Sequence, residues 1–328
     1  VPAVPAVNAP MLATQGSSGG EPHPDAPIRT QLVKRFLSIG TASINGTYHP
    51  LGIAMARLFN AKLGEILVIS EPTQGSVANI RYLQSRDIAL ALVQNDIVWE
   101  AFTGKGNFAG SPFAELRVLA SLYSEVIHIA VRKDAGIRSF EELRGKVVAI
   151  GEAGSGTAIN ARIILDAAGL REGDYIPNYL TFTKATDALE ARYIDAVFFT
   201  GGLPIEGFSL LGQKVPLRLL PVSEDLRRRL VSGYPFLERE TIPSGTYPGQ
   251  DEEIPAVGLR ALLVTTSDFE AELAERMLQL LFQNIGYLAS ICKTADTLSL
   301  RSALKGFDLK MLHPGVERFY RENQAPEK

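Results

Sequence analysis

Two stretches decide the fold: Phe36-Leu37-Ser38-Ile39-Gly40-Thr41-Ala42-Ser43-Ile44-Asn45-Gly46-Thr47 and Lys146-Val147-Val148-Ala149-Ile150-Gly151-Glu152-Ala153-Gly154-Ser155-Gly156-Thr157. Each begins as a short apolar strand, ends that strand at a glycine and continues through a polar, glycine-containing turn. A helical pattern follows each turn. After the first, Leu51, Ala54, Met55, Leu58 and Phe59 recur at i, i+3, i+4, i+7 and i+8, which makes one buried stripe. After the second, Ala158–Ala168 turns Ile159, Ile163, Ile164 and Ala167 inward. Gly64 and Gly169 stand where a helix is stopped by a C′ residue.

Working outward, the same order continues in both places. In the first, Ile66–Ile69 reads as a strand, Pro72–Ser76 as a turn and Val77–Leu83 as a helix. Asp87–Val93 then reads as a fully apolar, buried strand that ends in Gln94-Asn95-Asp96. In the second, a further strand–helix stretch leads to Asp195–Phe199, which ends in Thr200-Gly201-Gly202. The strand-end glycine and the aspartate opening the later strand are separated by about 45 residues in both, a repeat of supersecondary order without repeated sequence. Alternating β and α predicts an α/β protein of two similar lobes, each a mostly parallel sheet flanked by helices, with a cleft between them. Two apolar extended stretches, Val118–Val131 and Val257–Thr265, are the predicted crossovers, and the helices of Phe269–Cys292 and the tail fold back on the first lobe. The expected boundaries are 33–122 with 261–328 for lobe I and 123–260 for lobe II. Residues 1–32, rich in Pro, Ala, Gly and Ser, read as a disordered leader or tether.

Composition narrows the function. At 328 residues and 46% hydrophobic, the chain has material for two cores. A formal charge of −3 with no basic block argues against nucleic acid or an anionic membrane as partner. The single cysteine, Cys292, excludes an internal disulfide, sits in an apolar setting as a core residue and leaves the cellular compartment open. No apolar run reaches the roughly 18 residues of a membrane span. The start at Val1 reads as a removed leader or a trimmed chain. Gly16-Ser17-Ser18-Gly19-Gly20 matches the hydrolase pattern Gly-x-Ser-x-Gly without its strand and helix, and is a chance hit.

In open α/β sheets ligands sit beyond the carboxyl ends of the strands. The polar turns after Ile39 and Ile150 fall there, each at a helix N-terminus whose free amides and positive dipole end receive an anion without a lysine. The competing reading is simple helix capping by Ser and Thr. The matching placement in both lobes favours ligand contact. Neither turn is a phosphate loop or a dinucleotide loop. Gln94 and Asp96 either cap the next helix or face the cleft, Tyr48 either leans over the ligand or packs in its helix, and Glu125 and His128 are hinge or rim candidates. The histidines, His23, His49, His128 and His313, have no metal spacing, and no strained serine elbow or cysteine cluster occurs. Binding without covalent chemistry is the expectation.

At these same residues the sequence resembles the TAXI family of solute-binding proteins that serve tripartite ATP-independent periplasmic (TRAP) transporters. The resemblance lies in Ile39-Gly40-Thr41 through Gly46–Gly52, in Gly75–Ile80, in Asp87–Asp96 and in Gly154–Thr157. Tyr123–His128 and Ile242–Gln250 resemble further family blocks. It implies a type II periplasmic-binding-protein fold, a periplasmic location, and delivery of a small carboxylate ligand, glutamate-like or related, to a TRAP membrane permease; a monomer without a cofactor is the accompanying expectation. By motif it carries ligand contacts to Thr41, Ser43, Gly46, Thr47 and Tyr48, to Ser76 and Asn79, to Gln94 and Asp96, and to Ser155, Gly156 and Thr157. Backbone amides near Ser43–Thr47 and Ser155–Thr157 would take the anionic group, and Ser76, Asn79 and Gln94 would orient it. Ala42, Ile44 and Asn45 stand where the family is richer in Gly, Ser and Thr, and reshape the first loop. Two rivals are an enzyme on the same two-lobed fold, such as a deaminase or precursor-synthesis protein, and a sensory module signalling to a membrane partner.

Overall fold

Both strand–turn–helix stretches fold into parallel β-α-β-α-β units of the same winding. The computed structural model describes residues 34–323, so the expected leader at 1–32 lies outside the described residues. In the first unit β1 (Arg35–Gly40) leads to α1 (Tyr48–Lys62), β2 (Ile66–Glu71), α2 (Ser76–Gln84) and β3 (Leu90–Gln94), and α3 (Asn95–Thr103) follows directly. A long strand, β4 (Leu116–Arg132), crosses to the second unit: β5 (Val147–Ala149), α4 (Gly156–Ala167), β6 (Ile176–Asn178), α5 (Phe182–Glu190) and β7 (Ala196–Gly201). Next come α6 (Glu206–Lys214), β8 (Leu217–Leu219), α7 (Glu224–Gly233) and β9 (Glu238–Ile242). The second long strand, β10 (Ile254–Thr266), returns the chain to α8 (Ala271–Gln283), α9 (Ile285–Ile291) and α10 (Pro314–Asn323).

The sheet order β2-β1-β3-β10-β4-β7-β5-β6 is a near palindrome. The trio β2-β1-β3 is mirrored by β6-β5-β7, each trio parallel, with β10 beside β3 and β4 beside β7. The two long strands run antiparallel to each other and to those neighbours. The sheet is therefore mixed, parallel in its outer trios and antiparallel at its centre, where the sequence pattern predicted mostly parallel sheets. Both central strands are apolar and buried almost throughout, and a strand covered on both faces carries no alternation to reveal its direction.

The backbone repeat is closer than the sequence suggests, and its register differs. Helices α2 and α5 both end at an arginine in the left-handed region, Arg86 (φ 64°) and Arg192 (φ 66°). The next two amides then bond one carbonyl each time: Asp87 and Ile88 donate to Tyr82 O, Tyr193 and Ile194 to Ala188 O. Asp87 thus matches Tyr193, and Ala89, which donates to Ser38 O, matches Asp195, which donates to Val147 O. The two aspartates that marked the repeat are two positions out of step. By the same registers Gly40 matches Ala149, not Gly151. The order of elements is repeated, and the marker residues are coincidental.

Helix α1 buries the expected stripe from Leu51 to Phe59. Gly64 does not stop it: the chain leaves through Leu63 in extended conformation, whose amide closes on Phe59 O. Gly169, by contrast, adopts φ +82° just beyond α4. The helical pattern of Phe269–Cys292 breaks into α8 and α9 at Asn284, and both pack on α1 with Cys292 in the same core. The apolar clusters divide along one line across the long strands. Leu119–Tyr123, Ala261 and Leu263 belong with the first unit, whereas Val126, Ile127, Val257 and Leu259 belong with the second. On the first-unit side of this line the β10–β4 register shifts between Ala261 and Leu262, where Leu122 of β4 is skipped, the signature of a bulge.

Candidate functional site

The carboxyl ends of β1, β3, β5 and β7 meet around one cavity of about 50 Å³. Its polar wall comes from the turn before α1 (Ala42, Ser43, Gly46, Thr47), from Tyr48, from Gln94 at the end of β3 and from Glu125 of β4. The opposite half contributes Gly151, Glu152, Ser155 and Thr157 from the turn before α4, and Thr200 from β7. An apolar wall is made by Leu180, Phe182, Ala185, Phe198 and Phe199, in which the Phe182 and Phe199 ring centroids are 4.0 Å apart. Among the described residues no lysine, arginine or histidine lines it.

The two turns from opposite halves face this shared cavity, which places the heads of α1 and α4 beside it. At α4 the cap is local: Ser155 Oγ accepts from Ala158 N at 3.1 Å and donates to Glu152 O at 2.6 Å. Its hydroxyl is fully used, so Ser155 shapes the wall and has no hydrogen left to offer a ligand. Thr157 Oγ1 accepts from Thr200 N at 3.3 Å, which leaves its O–H as a donor. At α1 Thr47 makes no side-chain cap. Its Oγ1 accepts instead from Gly202 N of the other half at 3.2 Å.

The halves are closed on each other. Val77 N, at the head of α2, donates to Gly154 O (3.2 Å), Asn45 Nδ2 to Thr183 Oγ1 (2.9 Å), and Asn160 Nδ2 to Asp96 Oδ2 (3.1 Å). Gly156 is a glycine by necessity of approach. A Cβ there would stand 1.7 Å from Gln94 Oε1, so the Gln94 amide occupies the space a side chain would take.

Of the residues singled out by sequence, Ser43, Gly46, Thr47, Tyr48, Gln94, Ser155 and Thr157 line the cavity. Thr41, Ser76, Asn79, Asp96 and Gly156 do not, and the polar groups of the first four are committed elsewhere. Thr41 Oγ1 donates to Glu71 O at 2.6 Å. Ser76 Oγ accepts from Gln94 N at 3.1 Å. Asn79 Nδ2 donates to Thr41 O and Leu92 O while its Oδ1 accepts from Thr73 Oγ1, so it splices β1, β3 and the turn before α2. Asp96 accepts from Ile97 N and Asn160 Nδ2, and Asn160 Oδ1 accepts from Thr200 Oγ1, a buried chain that links the halves behind the cavity. His128, a rim candidate, is buried in β4 between Val126 O and the Tyr247 hydroxyl, away from the cavity.

Glu125 sits at the floor with 2% exposure, its Oε2 accepting from the Tyr48 hydroxyl at 2.8 Å. Burial pushes its carboxyl up to about 8, opposed by the hydrogen bonds of Tyr48 and Gln94 and reinforced by nearby Asp96. Burial also lifts Asp96 to about 7, against the Ile97 amide and Asn160. Gln94 Oε1 has no hydrogen-bond partner although the residue is 3% exposed. Glu125 was readable only as a crossover residue, and the apolar wall was invisible because cavity-lining phenylalanines and core phenylalanines follow the same pattern.

Solved structures with the same α/β arrangement are periplasmic binding proteins. The alkanesulfonate-binding protein SsuA of Xanthomonas axonopodis pv. citri, bound to MOPS, is similar at 16% identity over 89% of this chain and 94% of that one, with a TM-score of 0.52. PhnD1 of Prochlorococcus marinus, in complex with methylphosphonate, is similar at 11% identity over 88% and 98%, with a TM-score of 0.52. An ancestral arginine-binding protein bound to arginine is similar at 16% identity over 79% and 97%, with a TM-score of 0.50. The mixed sheet with flanking helices is thus the periplasmic-binding-protein fold. Residues 39–323 match the model of the NMT1-like family, and the chain belongs to that family.

Proposed function

We propose that this chain is an extracytoplasmic solute-binding protein that captures a small carboxylate-bearing ligand, glutamate- or glutamine-like or a related organic acid, and hands it to a TRAP permease without altering it. One observation carries the reading: the heads of α1 and α4, from opposite halves, meet at one small cavity whose other polar groups are hydroxyls, the amides of Gln74 and Gln94, and acids, with no cationic side chain. Helix N-termini receive an anion in such a place. The halves move as lobes about β4 and β10 between Tyr123–Val126 and Leu259–Ala261, and a ligand that touches both stabilises the closed form. Of the blocks that resemble the TAXI family, those at Gly46–Gly52, Asp87–Asp96, Tyr123–His128 and Gly154–Thr157 contribute residues to this cavity, which supports the TRAP partner. Solved structures described as parts of ABC transporters favour an ATP-driven permease as the second reading.

Native mass spectrometry of the purified protein, followed by calorimetry with L-glutamate, L-glutamine, glutarate and 2-oxoglutarate, tests the ligand. A co-purified or added carboxylate that binds one-to-one is expected. An exclusively cationic or neutral ligand would sink the reading. Uptake into proteoliposomes with the permease distinguishes an ion-gradient drive from an ATP drive.

A further inference from the structure

An acid at the floor of a cavity built for an anion poses a conflict. An ionised Glu125 would repel the ligand's carboxylate in a medium of low dielectric, and no cation lines the cavity to offset it. The surroundings of Glu125 resolve the conflict. From α1, the Tyr48 hydroxyl donates to Oε2. From β3, the Gln94 amide lies beside it and favours its charged form. From α3, Asp96 adds negative charge, and Tyr123 on β4 is fully buried beside it, with Cys292 against that ring. Glu152 is the other acid of the lining, and Lys184 lies near that residue rather than Glu125. On β10, Arg260, which stands opposite Ser124, turns to Ser121 Oγ and toward Glu238. Every charged group facing Glu125 is thus acidic. The Tyr48 hydroxyl occupies Oε2, and the carboxyl of Glu125 lines the cavity.

We propose that Glu125 is a ligand-contacting residue that works as a hydrogen-bond donor, giving its carboxyl proton to the bound carboxylate so that acid and anion share one hydrogen. The inference rests on the carboxylate reading above and adds that anion capture is coupled to the protonation of one residue. Where solvent has removed that proton, binding takes one proton up from solvent. The burial that pushes Glu125 up to about 8 sets the window.

The test is calorimetry of the intact protein with L-glutamate, L-glutamine, glutarate and 2-oxoglutarate at pH 7 and pH 9, for wild type and Glu125→Gln. The expected result is a loss of roughly tenfold in affinity between those pH values for wild type, from the fall in the neutral fraction, and a flat profile for the variant. Proton uptake at pH 9, read from the dependence of the binding heat on buffer ionisation, is expected for wild type alone. An infrared difference spectrum between wild type and Glu125→Gln, without ligand at pH 7, is expected to contain the carbonyl band of a protonated carboxyl. Affinity that is unchanged or rises with pH overturns this proposal while leaving the carboxylate reading intact. Absence of that band also overturns it. Failure of all four acids to bind either protein overturns the carboxylate reading, and this proposal with it.

Discussion

The turn before α1 and the turn before α4 face the same cavity but are assembled differently. The second is self-sufficient, because Ser155 caps its own helix and ties back to Glu152. The first has no cap of its own, and its threonine, Thr47, spends its hydroxyl on Gly202 of the opposite half. One turn is therefore a cradle finished by its own bonds, whereas the other is completed by a bond from the opposite half. On the proposed two-lobed reading, the finished side would hold the anion first and the unfinished side would convert contact into closure.

The largest expected effect comes from filling the finished cradle. Gly156→Ala puts a methyl where the Gln94 amide lies, and overpacking of this kind costs about 1–3 kcal/mol. Ligand affinity should fall tenfold or more in calorimetry, and scattering in solution should report a wider molecule. Normal affinity would mean that Gln94 swings away freely and the cradle is not rigid.

Next in size is the response to pH, which probes the link behind the cavity. Asp96 and Glu125 have folded values raised by burial to about 7 and about 8, above their unfolded values near 4. The native state therefore holds more protons than the unfolded one between about pH 4 and pH 8. Stability is highest below that window, falls as pH rises through it and levels off above. Urea midpoints across pH 5 to 9 measure this. A midpoint that climbs with pH would show the acids to be ionised and paired. Asp96→Asn should flatten the lower part of the curve.

Thr157→Val removes a free hydroxyl donor from the cradle and an acceptor from Thr200, so binding should weaken by about 1–2 kcal/mol. The smallest pair sharpens the contrast itself. Ser155→Ala should lower the melting point of the free protein by the equivalent of about 1 kcal/mol, the loss of a cap. Thr47→Val should leave the free protein nearly unchanged and appear instead as a loss of about 1 kcal/mol in ligand binding. Equal effects of both on the free protein would erase the distinction between the turns.

Much of this architecture was legible in the chain because helices with one buried stripe and strands of continuous apolar residues obey simple periodicities. Leu51 through Phe59 and Leu90 through Val93 are such cases. The three-residue strands β6 and β8 are too short for any period to register. The repeat was readable as an order of elements, yet Asp87 and Asp195 misplaced its register, since the left-handed arginines that align it have no composition signal. At the site, residue type told which side chains are polar but not where their hydrogen bonds go. Asn79 and Ser155 look like ligand contacts in sequence, and both spend every polar group on the protein's own backbone or neighbours.

The place of β10 between β3 and β4 has a consequence for how the molecule is made. Strand β3, buried at every residue, pairs with β10 through Ala261–Val264, which follow it by some 170 positions in the chain. During synthesis the first unit therefore waits with an apolar, unpaired edge until nearly the whole second unit has been produced. Such edges recruit other strands, and long-range pairings of this kind form slowly. The early part of the chain cannot finish folding by itself, and fragments that end before residue 254 should aggregate rather than yield a working half.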